Sequence, residues 1–317
     1  MNRRILGRTQ LETSVMGLGC GGNSRLGQAY GNSESDSIRV VRTALDEGIN
    51  FIDTAPTYGT EGIVGKALNG VNRDQYILST KVSLPNPSRL GRWKDKRYFE
   101  KNLHQSLKHL KTDSIDIYNL HCVAASHYAL AHDTYAEWLM KFQDQGKIRF
   151  LGITEVFGND PTHEMLKLAV RDSVWDVIMV GLNIVNQSAL RTIFPAALDK
   201  NLGIQIMFAV RKALVNQGGL KALIANLIEI GEVDPAEIES AEDPIGFLLR
   251  PEVAESLTDA AYRFCAHVSG SPIVLSGTGN PEHLRSNAAS LNRPPLPNHV
   301  LARLKSIFGR VERATCN

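Results

Sequence analysis

The stretch FIDTAPTYGTEGIVGKAL, residues 51–68, places two ionisable side chains at the end of a short apolar run. Asp53 closes the run, and Tyr58 follows five residues later beside Gly59. Apolar runs without strict alternation are typical of strands that are buried on both faces of a parallel sheet. A carboxylate and a phenol at the end of such a strand indicate that this end of the sheet carries chemistry.

Similar apolar runs recur along the chain, and amphipathic segments separate them. The eight predicted strands are VMGLG (15–19), NFID (50–53), YILSTK (76–81), SIDIYNL (114–120), RFLGIT (149–154), DVIMVGL (176–182), GIQIMF (203–208) and SPIVLSG (271–277). The helices predicted between them cover residues 35–47, 98–110, 134–145, 161–171 and 188–198. Regular alternation of strand and helix favours a parallel α/β architecture, and eight units favour a (β/α)₈ TIM barrel over an open sheet.

The whole chain, residues 1–317, is expected to form a single domain, because α/β barrels of this length fold as one unit. The longest interval between predicted strands contains helix-like stretches, and residues 212–255 are interpreted as a helical insertion. The segment ILGRTQLETSVMG, residues 5–17, is predicted to form a small hairpin that turns near Gly7 or Gln10 and closes the barrel floor.

The composition argues against several classes of protein. Hydrophobic residues make up 43% of the chain, charged residues 21%, and the net charge is only +2, which argues against nucleic acid or an anionic membrane as partner. The four cysteines form no CxxC pair, which argues against a disulfide framework or a zinc site. The basic start lacks an apolar h-region, and no apolar run approaches the roughly 20 residues of a bilayer span. We therefore expect a cytoplasmic protein.

Titratable residues lie at the ends of three successive predicted strands. Asp53 ends the second, Lys81 ends the third, and His121 directly follows the fourth; Tyr58 lies in the loop after the second. Strand ends of a (β/α)₈ barrel gather at one mouth. For each residue taken alone, a structural role is at least as good an interpretation as a functional one. However, a buried lysine and a buried aspartate need each other as partners. We therefore expect the four side chains to converge.

These four side chains form a plausible site for proton and hydride transfer. A free phenol has a pKa of about 10, and a nearby ammonium lowers it by roughly 1–3. We therefore expect Lys81, held by Asp53, to lower the pKa of Tyr58, which then acts as general acid to a carbonyl or general base to an alcohol. His121 would donate a hydrogen bond to the same oxygen. The hydride must come from elsewhere, which implies a nicotinamide cofactor.

Four motifs resemble those of the aldo-keto reductases, and the resemblance covers essentially the whole chain. They are FIDTAPTYG (51–59), STKV (79–82), IDIYNLH (115–121) and LSGTGNPEHLRSN (275–287). The resemblance implies a (β/α)₈ barrel and NAD(P)H-dependent interconversion of carbonyls and alcohols. It also implies a catalytic tetrad of the same four residues, Asp53, Tyr58, Lys81 and His121.

The resemblance implies NADP(H) or NAD(H) as cofactor, extended across the barrel mouth. In the last motif a glycine-rich turn leads into a helix that begins near Pro281, and a helix start suits a phosphate, although on the residues alone an ordinary βα turn is the stronger interpretation. The implied cofactor contacts are Gly22, Asn23, Asp53, Thr154, Glu155, Phe208, Val210, Arg211, Gly277, Thr278, Gly279, His283 and Asn287.

Two substitutions bear on the choice between the cofactors. Many NADPH-specific relatives carry a lysine at the position of Gly277 and an arginine at that of His283. Their loss is expected to weaken the preference for NADPH, unless the nearby Arg285 compensates. On these residues, NAD(H) is as open an interpretation of the cofactor as NADP(H).

Further departures concern the nicotinamide end. Thr154 and Glu155 stand where relatives often carry Ser-Asn, and Met179 aligns with a frequent glutamine, so we expect altered binding of the carboxamide. Phe208 is expected to stack on the nicotinamide. Arg211 is interpreted either as a pyrophosphate contact or as a surface arginine.

A small-molecule carbonyl or alcohol is the expected partner, and Tyr58, His121, Trp93, His127 and Tyr128 are its candidate contacts. A metal site in HCVAASHYALAH, residues 121–132, is disfavoured because the histidine spacing does not match known ligand spacing. Two alternatives stay open: an NAD-dependent sugar or polyol dehydrogenase that works oxidatively, and a non-catalytic barrel that senses the cofactor or binds a partner.

Overall fold

The computed structural model describes residues 1–85, 95–215, 217–240 and 243–316. The N-terminal hairpin consists of β1 (Arg3–Ile5) and β2 (Glu12–Ser14). The barrel strands are β3 (Met16–Gly19), β4 (Phe51–Asp53), β5 (Ile77–Ser83), β6 (Ile115–Val123), β7 (Ile148–Glu155), β8 (Val177–Gly181), β9 (Gly203–Met207) and β10 (Ile273–Ser276).

Each of the eight predicted strands is present, and together they close into a parallel barrel. The strand order is β10-β3-β4-β5-β6-β7-β8-β9, and β10 pairs with both β9 and β3. The predicted (β/α)₈ barrel is therefore confirmed. Parallel strands with sequential neighbours bring all their C-terminal ends to one mouth.

Helices cover the outside of the barrel. They are α1 (Glu34–Asp46), α2 (Glu61–Ala67), α3 (Lys96–Leu110), α4 (Glu137–Asp144), α5 (Glu164–Ala169), α6 (Ser188–Thr192), α7 (Phe194–Asp199), α8 (Gln217–Glu229), α9 (Leu257–Ala266), α10 (Pro281–Asn292) and α11 (Asn298–Phe308). A helical turn at Tyr128–Leu130 and a π-helical segment at Ala131–Ala136 precede α4. In the described part of the chain, no helix combines the length and hydropathy that a bilayer crossing requires.

Local chain geometry moves several predicted boundaries. The helix predicted over 188–198 is two helices, because Pro195 lies in the first turn of the second, where its missing N–H costs nothing. The helix predicted over 161–171 begins only at Glu164, since His163 has a left-handed φ of 64°. Strand β6 is longer than predicted and runs through His121, which pairs with Ser83 of β5. His121 therefore belongs to the strand rather than following it.

The hairpin closes the floor of the barrel, as predicted. Leu6 and Leu11 pack against the lowest layer of barrel side chains, which includes Phe51 and Ile117. Gly7 has a φ of +47°, and a Cβ atom there would lie 2.5 Å from the backbone nitrogen of Gly203. This close approach lets the turn lie directly under the strand starts, so the interior of the barrel is closed at the floor by an apolar layer.

Candidate active site

A buried ion pair stands at the barrel mouth. Nζ of Lys81 donates to both carboxylate oxygens of Asp53 at 2.6 Å and to the carbonyl oxygen of Thr54 at 2.9 Å. The hydroxyl of Ser79 donates to Oδ1 of Asp53 at 2.9 Å. Asp53 is 3% exposed and Lys81 is 0% exposed, so each charge relies on the other for compensation. The sequence-predicted partnership of these two residues matches this geometry.

Tyr58 and His121 face each other beside the ion pair. The Tyr58 hydroxyl lies 3.4 Å from Nε2 of His121, and Nζ of Lys81 lies 5.0 Å from the centroid of the Tyr58 ring. A 3-10 turn at Pro56–Tyr58 carries the phenol over the mouth, and Gly59 ends that turn with a φ of 74°. The four predicted side chains thus converge.

The charge on Lys81 is secured by its neighbours. Burial lowers the pKa of its ammonium, but the Asp53 carboxylate and the Tyr58 phenol outweigh burial, and the pKa ends above its usual value. Lys81 is therefore a cation at neutral pH. Burial and, to a smaller extent, the nearby Lys81 lower the pKa of His121 to about 3. His121 is therefore a neutral imidazole that donates one N–H and accepts at the other nitrogen.

The prediction that Lys81 lowers the pKa of Tyr58 below its usual value is wrong. Burial raises the pKa of the phenol more than Lys81 lowers it, so the net shift is upward. The prediction considered the neighbouring charge and left out desolvation, which disfavours phenolate in a buried site. Tyr58 is consequently a protonated hydroxyl at neutral pH, with a cation placed to stabilise the phenolate once the proton leaves.

A cavity of about 620 Å³ opens beside the tetrad, and this volume is typical of a small-molecule or cofactor site. Described residues that line it are Gly19, Gly21, Gly22, Asn23, Ser24, Gly27, Tyr30, Asn32, Asp53, Tyr58, Met179, Met207, Phe208, Val210, Arg211, Val215, Leu275, Gly277, Thr278, Gly279, Asn280 and His283. A larger cavity of about 840 Å³ lies at the barrel floor and contains no member of the tetrad. We take the smaller cavity as the site, because barrel chemistry occurs at the C-terminal mouth.

Comparison with known proteins places the chain in a family. The profile of the Aldo/keto reductase family matches residues 17–308. The chain belongs to the aldo/keto reductase family. Membership makes it an NAD(P)-dependent oxidoreductase, and one family domain covers nearly all of its length.

Two curated relatives illustrate the similarity. Aldo-keto reductase YhdN of Bacillus subtilis (strain 168) is 28% identical over 292 residues, which cover 88% of this chain and 85% of YhdN. The L-galactose dehydrogenase of Arabidopsis thaliana is 31% identical over 228 residues, which cover 68% of this chain and 67% of the relative.

Solved structures agree with the fold. The aldo-keto reductase AKR11C1 from Bacillus halodurans, in its holo form, superposes with a TM-score of 0.71 at 23% identity, covering 99% of this chain and 100% of its own. An aldo/keto reductase from Klebsiella pneumoniae, solved with NADP and acetate, gives a TM-score of 0.68 at 20% identity and covers 99% of this chain and 98% of its own. At such identities the likeness supports the barrel alone.

Most of the cofactor contacts expected for this aldo/keto reductase line the mouth cavity. They are Gly22, Asn23, Asp53, Phe208, Val210, Arg211, Gly277, Thr278, Gly279 and His283. Arg211 is half-buried, lines the cavity, and has a buried Nη1 without a hydrogen-bond partner. A guanidinium nitrogen in that state is suited to an anionic ligand, so the surface interpretation of Arg211 is wrong.

Three expected cofactor contacts lie outside the cavity lining. Thr154 accepts a hydrogen bond from the backbone N–H of Cys122 at 2.8 Å. The Glu155 carboxylate is 1% exposed and is held by His163 and by the backbone N–H of Gly181. The amide of Asn287 donates to Ser276 at 3.0 Å. Each side chain has a local structural partner, which sequence alignment alone does not show.

The cation expected to compensate for the missing lysine and arginine is engaged elsewhere. Nε of Arg285 lies 3.1 Å from Glu47, and the same guanidinium also contacts Glu282. These two carboxylates neutralise Arg285 on the outer surface between α1 and α10. It does not line the cavity.

Of the expected substrate contacts, some lie at the cavity and others lie elsewhere. Tyr58 lines the cavity and His121 stands beside it. Tyr128 is not placed to meet a substrate: its hydroxyl donates to Asp172 and accepts from Nε1 of Trp175 at 3.1 Å, away from the mouth. His127 ends a half-buried 3-10 turn at Ala125–His127. Trp93 lies outside the described residues.

Sequence reasoning missed several residues of the cavity wall, chiefly Tyr30, Asn32, Met207, Val215 and Asn280. A signal existed for the loop that leads to Tyr30 and Asn32. The glycine-rich segment GCGGNSRLG, residues 19–27, follows β3 at the mouth, where glycines allow a backbone to approach a ligand closely. The Asn32 amide holds this loop to the carbonyl of Gly279 at 2.8 Å.

Proposed function

We propose that this protein reduces an aldehyde, ketone or sugar-like carbonyl with NAD(P)H, and that Tyr58 is the general acid. One observation carries the proposal. A protonated phenol lies 3.4 Å from a neutral imidazole, next to a buried lysine–aspartate pair and at the wall of a cavity. This set can hold a carbonyl oxygen and deliver a proton to it.

Each side chain has a distinct part in the reaction. When bound, the nicotinamide supplies the hydride. His121 donates an N–H to the carbonyl oxygen and orients it, and the Tyr58 hydroxyl passes its proton to that oxygen as negative charge develops. The Lys81 ammonium stabilises the phenolate that is left, and Asp53 holds Lys81 in place. Because burial keeps the pKa of Tyr58 high, the resting group is already in the proton-donating form.

The residues of the cavity fit a dinucleotide. Arg211 offers an unpaired guanidinium nitrogen, and His283 stands in the first turn of α10, where a helix start is suited to a pyrophosphate. Among the described residues that line the cavity, Arg211 is the one lysine or arginine. A pyrophosphate takes that cation, which leaves no second one for the 2′-phosphate of NADPH. We therefore infer a preference for NADH.

Binding titrations test the cofactor proposal. NADH and NADPH are titrated by quenching of tryptophan fluorescence, on wild type and on His283→Arg. We expect tighter binding of NADH by the wild type and a relative gain for NADPH of about 10-fold in the variant. His299→Arg, which adds the same charge on an exposed face of α11, is the matched control and should shift neither dissociation constant. Stronger binding of NADPH by the wild type contradicts the inferred preference.

Turnover tests the catalytic proposal. Wild type is assayed with the preferred cofactor against a panel of aldehydes, ketones and sugars. Reduction of any member supports the proposal. A protein that binds NAD(P)H tightly and turns over nothing in either direction would instead favour the cofactor-sensing alternative.

A second candidate is an NAD-dependent dehydrogenase that oxidises a sugar or polyol. The similarity to a relative named L-galactose dehydrogenase favours it, and so does the inferred preference for NADH. The same tetrad serves that direction, with Tyr58 as general base after losing its proton. Assays at neutral pH with a panel of sugars and polyols plus NAD⁺, beside a panel of aldehydes and ketones plus NADH, separate the two candidates by which class of substrate is turned over with the higher kcat/KM.

A further inference from the structure

Four planar groups lie one behind another at one side of the cavity. The Arg211 guanidinium lies 3.9 Å from the centroid of the Phe208 ring. The Phe157 ring lies 5.8 Å from that of Phe208 at an interplanar angle of 28°, and the His163 ring lies 5.7 Å from that of Phe157 at 25°. We call these residues, Arg211, Phe208, Phe157 and His163, the Phe157 stack. Contacts of this kind are favourable for aromatic pairs and for a guanidinium on a ring face.

The far end of the Phe157 stack is fixed in the protein. His163 is completely buried, its Nδ1 lies 2.9 Å from the Glu155 carboxylate, and its Nε2 lies 2.9 Å from the Ser188 hydroxyl. Glu155 also accepts from the backbone N–H of Gly181 at 2.7 Å. The imidazole is therefore held from β7, from the end of β8 and from α6, and it provides a rigid base.

The near end of the stack faces the cavity. Phe208 and Arg211 both line it, and Phe208 has a φ of 65°, which is uncommon for a residue with a side chain. Such a conformation persists where neighbouring groups fix it. Phe157 is the neighbour that occupies the space behind the Phe208 ring. It fits there because position 181 is glycine: a Cβ atom at Gly181 would lie 2.3 Å from Cδ2 of Phe157.

We propose that Phe157, supported by His163 and Glu155, is a positioning residue for cofactor binding that acts through Phe208 and Arg211. Phe157 is 1% exposed and lies outside the cavity lining, so it acts on a bound dinucleotide only through the wall. The inference rests on the proposed function, since it requires the mouth cavity to hold NAD(P)H. On this proposal the buried Glu155 acts on the cofactor indirectly, by holding His163 behind Phe157.

A double-mutant cycle tests the route of action. Dissociation constants for NADH are measured for wild type, Phe157→Leu, Phe208→Leu and the double variant. We expect each single variant to weaken binding by about 3- to 10-fold and the double variant to bind no more weakly than Phe208→Leu alone. Losses that multiply in the double variant would overturn the proposal, because they would mean that Phe157 acts independently of Phe208.

Two further variants separate positioning from general stability. Phe142→Leu removes a ring that is equally buried, on α4, and is not part of the Phe157 stack, and should lower the melting temperature without changing the dissociation constant. His163→Asn removes the ring behind Phe157 but keeps an amide donor for Glu155 and tolerates the left-handed φ. It should weaken NADH binding by about 2- to 5-fold. Unchanged binding in both Phe157→Leu and His163→Asn would overturn the proposal, whereas a wild type that binds neither NADH nor NADPH would overturn the proposed function instead.

Discussion

The two ends of the barrel contain similar groups and have different surroundings. At the floor, Asp116 is buried and accepts from Arg73 at 2.6 Å and from Arg149 at 2.7 Å, and the Arg73 guanidinium lies 4.8 Å from the centroid of the Tyr76 ring. At the mouth, Asp53 pairs with Lys81, which lies 5.0 Å from the centroid of the Tyr58 ring. Each end therefore has a carboxylate, a cation and a phenol beside a cavity.

The differences lie in the cation and in the fourth group. Lys81 is 0% exposed, whereas the side chain of Arg73 is 31% exposed and shares its partner, Asp116, with Arg149. His121 stands 3.4 Å from the Tyr58 hydroxyl, whereas none of the described residues that line the floor cavity is a histidine. The floor cavity is also the larger. A cavity and a carboxylate–cation pair are common to both ends; the mouth differs in placing a buried ammonium and a neutral imidazole beside its phenol.

After loss of the Tyr58 hydroxyl itself, the largest expected effect on kcat comes from removing the cation at the mouth. Lys81→Met should lower kcat for carbonyl reduction by about 10²-fold, because the phenolate left by proton donation loses its ammonium. The protein should still fold, since burial already raises the pKa of Asp53 and the carboxyl can take a proton. Steady-state kinetics with a fixed cofactor concentration measure the effect.

Arg73→Met is the matched control at the floor. Asp116 keeps Arg149 and the backbone N–H of Leu78, so kcat should change by less than about 2-fold while the free energy of unfolding falls by about 1–3 kcal/mol. Equal losses of kcat in the two variants would break the distinction between the ends.

A smaller effect is expected from shifting the phenol without removing it. A Cβ atom at Gly21 would lie 2.5 Å from Cε2 of Tyr58, so Gly21→Ala must displace the ring. We expect a fall in kcat of about 10-fold, as for other small misplacements of a catalytic group. Gly62→Ala, where a new methyl group meets nothing within 4 Å, is the control and should leave kcat unchanged. Full activity in Gly21→Ala would show that the position of the Tyr58 ring is not critical.

The smallest expected effect is that of pH. Burial raises the pKa of Tyr58, so the proton-donating form is lost only when the pH rises past that elevated value. Burial lowers the pKa of His121 to about 3, so its neutral form is lost only below that pH. We expect kcat for reduction to vary by less than about 2-fold between about pH 5 and pH 9. A loss of activity below about pH 6.5 that is absent from a His121→Asn variant would contradict the assignment of His121 as neutral.

Much of this arrangement follows from the sequence. Buried parallel strands appear as apolar runs, so the eight strands were predictable from the sequence. The residues at their ends, such as Asp53 and Lys81, were predictable with them. The barrel topology then fixes where the ends meet. The convergence of the tetrad needed no information beyond this.

The remaining features depend on contacts between distant parts of the chain. Glu155 ends β7 but turns toward His163 and the N–H of Gly181, and Tyr128 turns toward Asp172. Neither orientation is encoded in local periodicity. The sign of the Tyr58 pKa shift depends on how much water the fold removes, which opposes the charge of Lys81.

The most direct test of the account applies one substitution to both ends. Tyr58→Phe and Tyr76→Phe each remove a phenolic hydroxyl that lies near a carboxylate–cation pair. We predict that Tyr58→Phe lowers kcat for reduction by about 10³-fold with the dissociation constant for NADH unchanged, and that Tyr76→Phe leaves both quantities as in wild type. A Tyr58→Phe variant that keeps more than about a tenth of the wild-type kcat would contradict the assignment of Tyr58 as the proton donor.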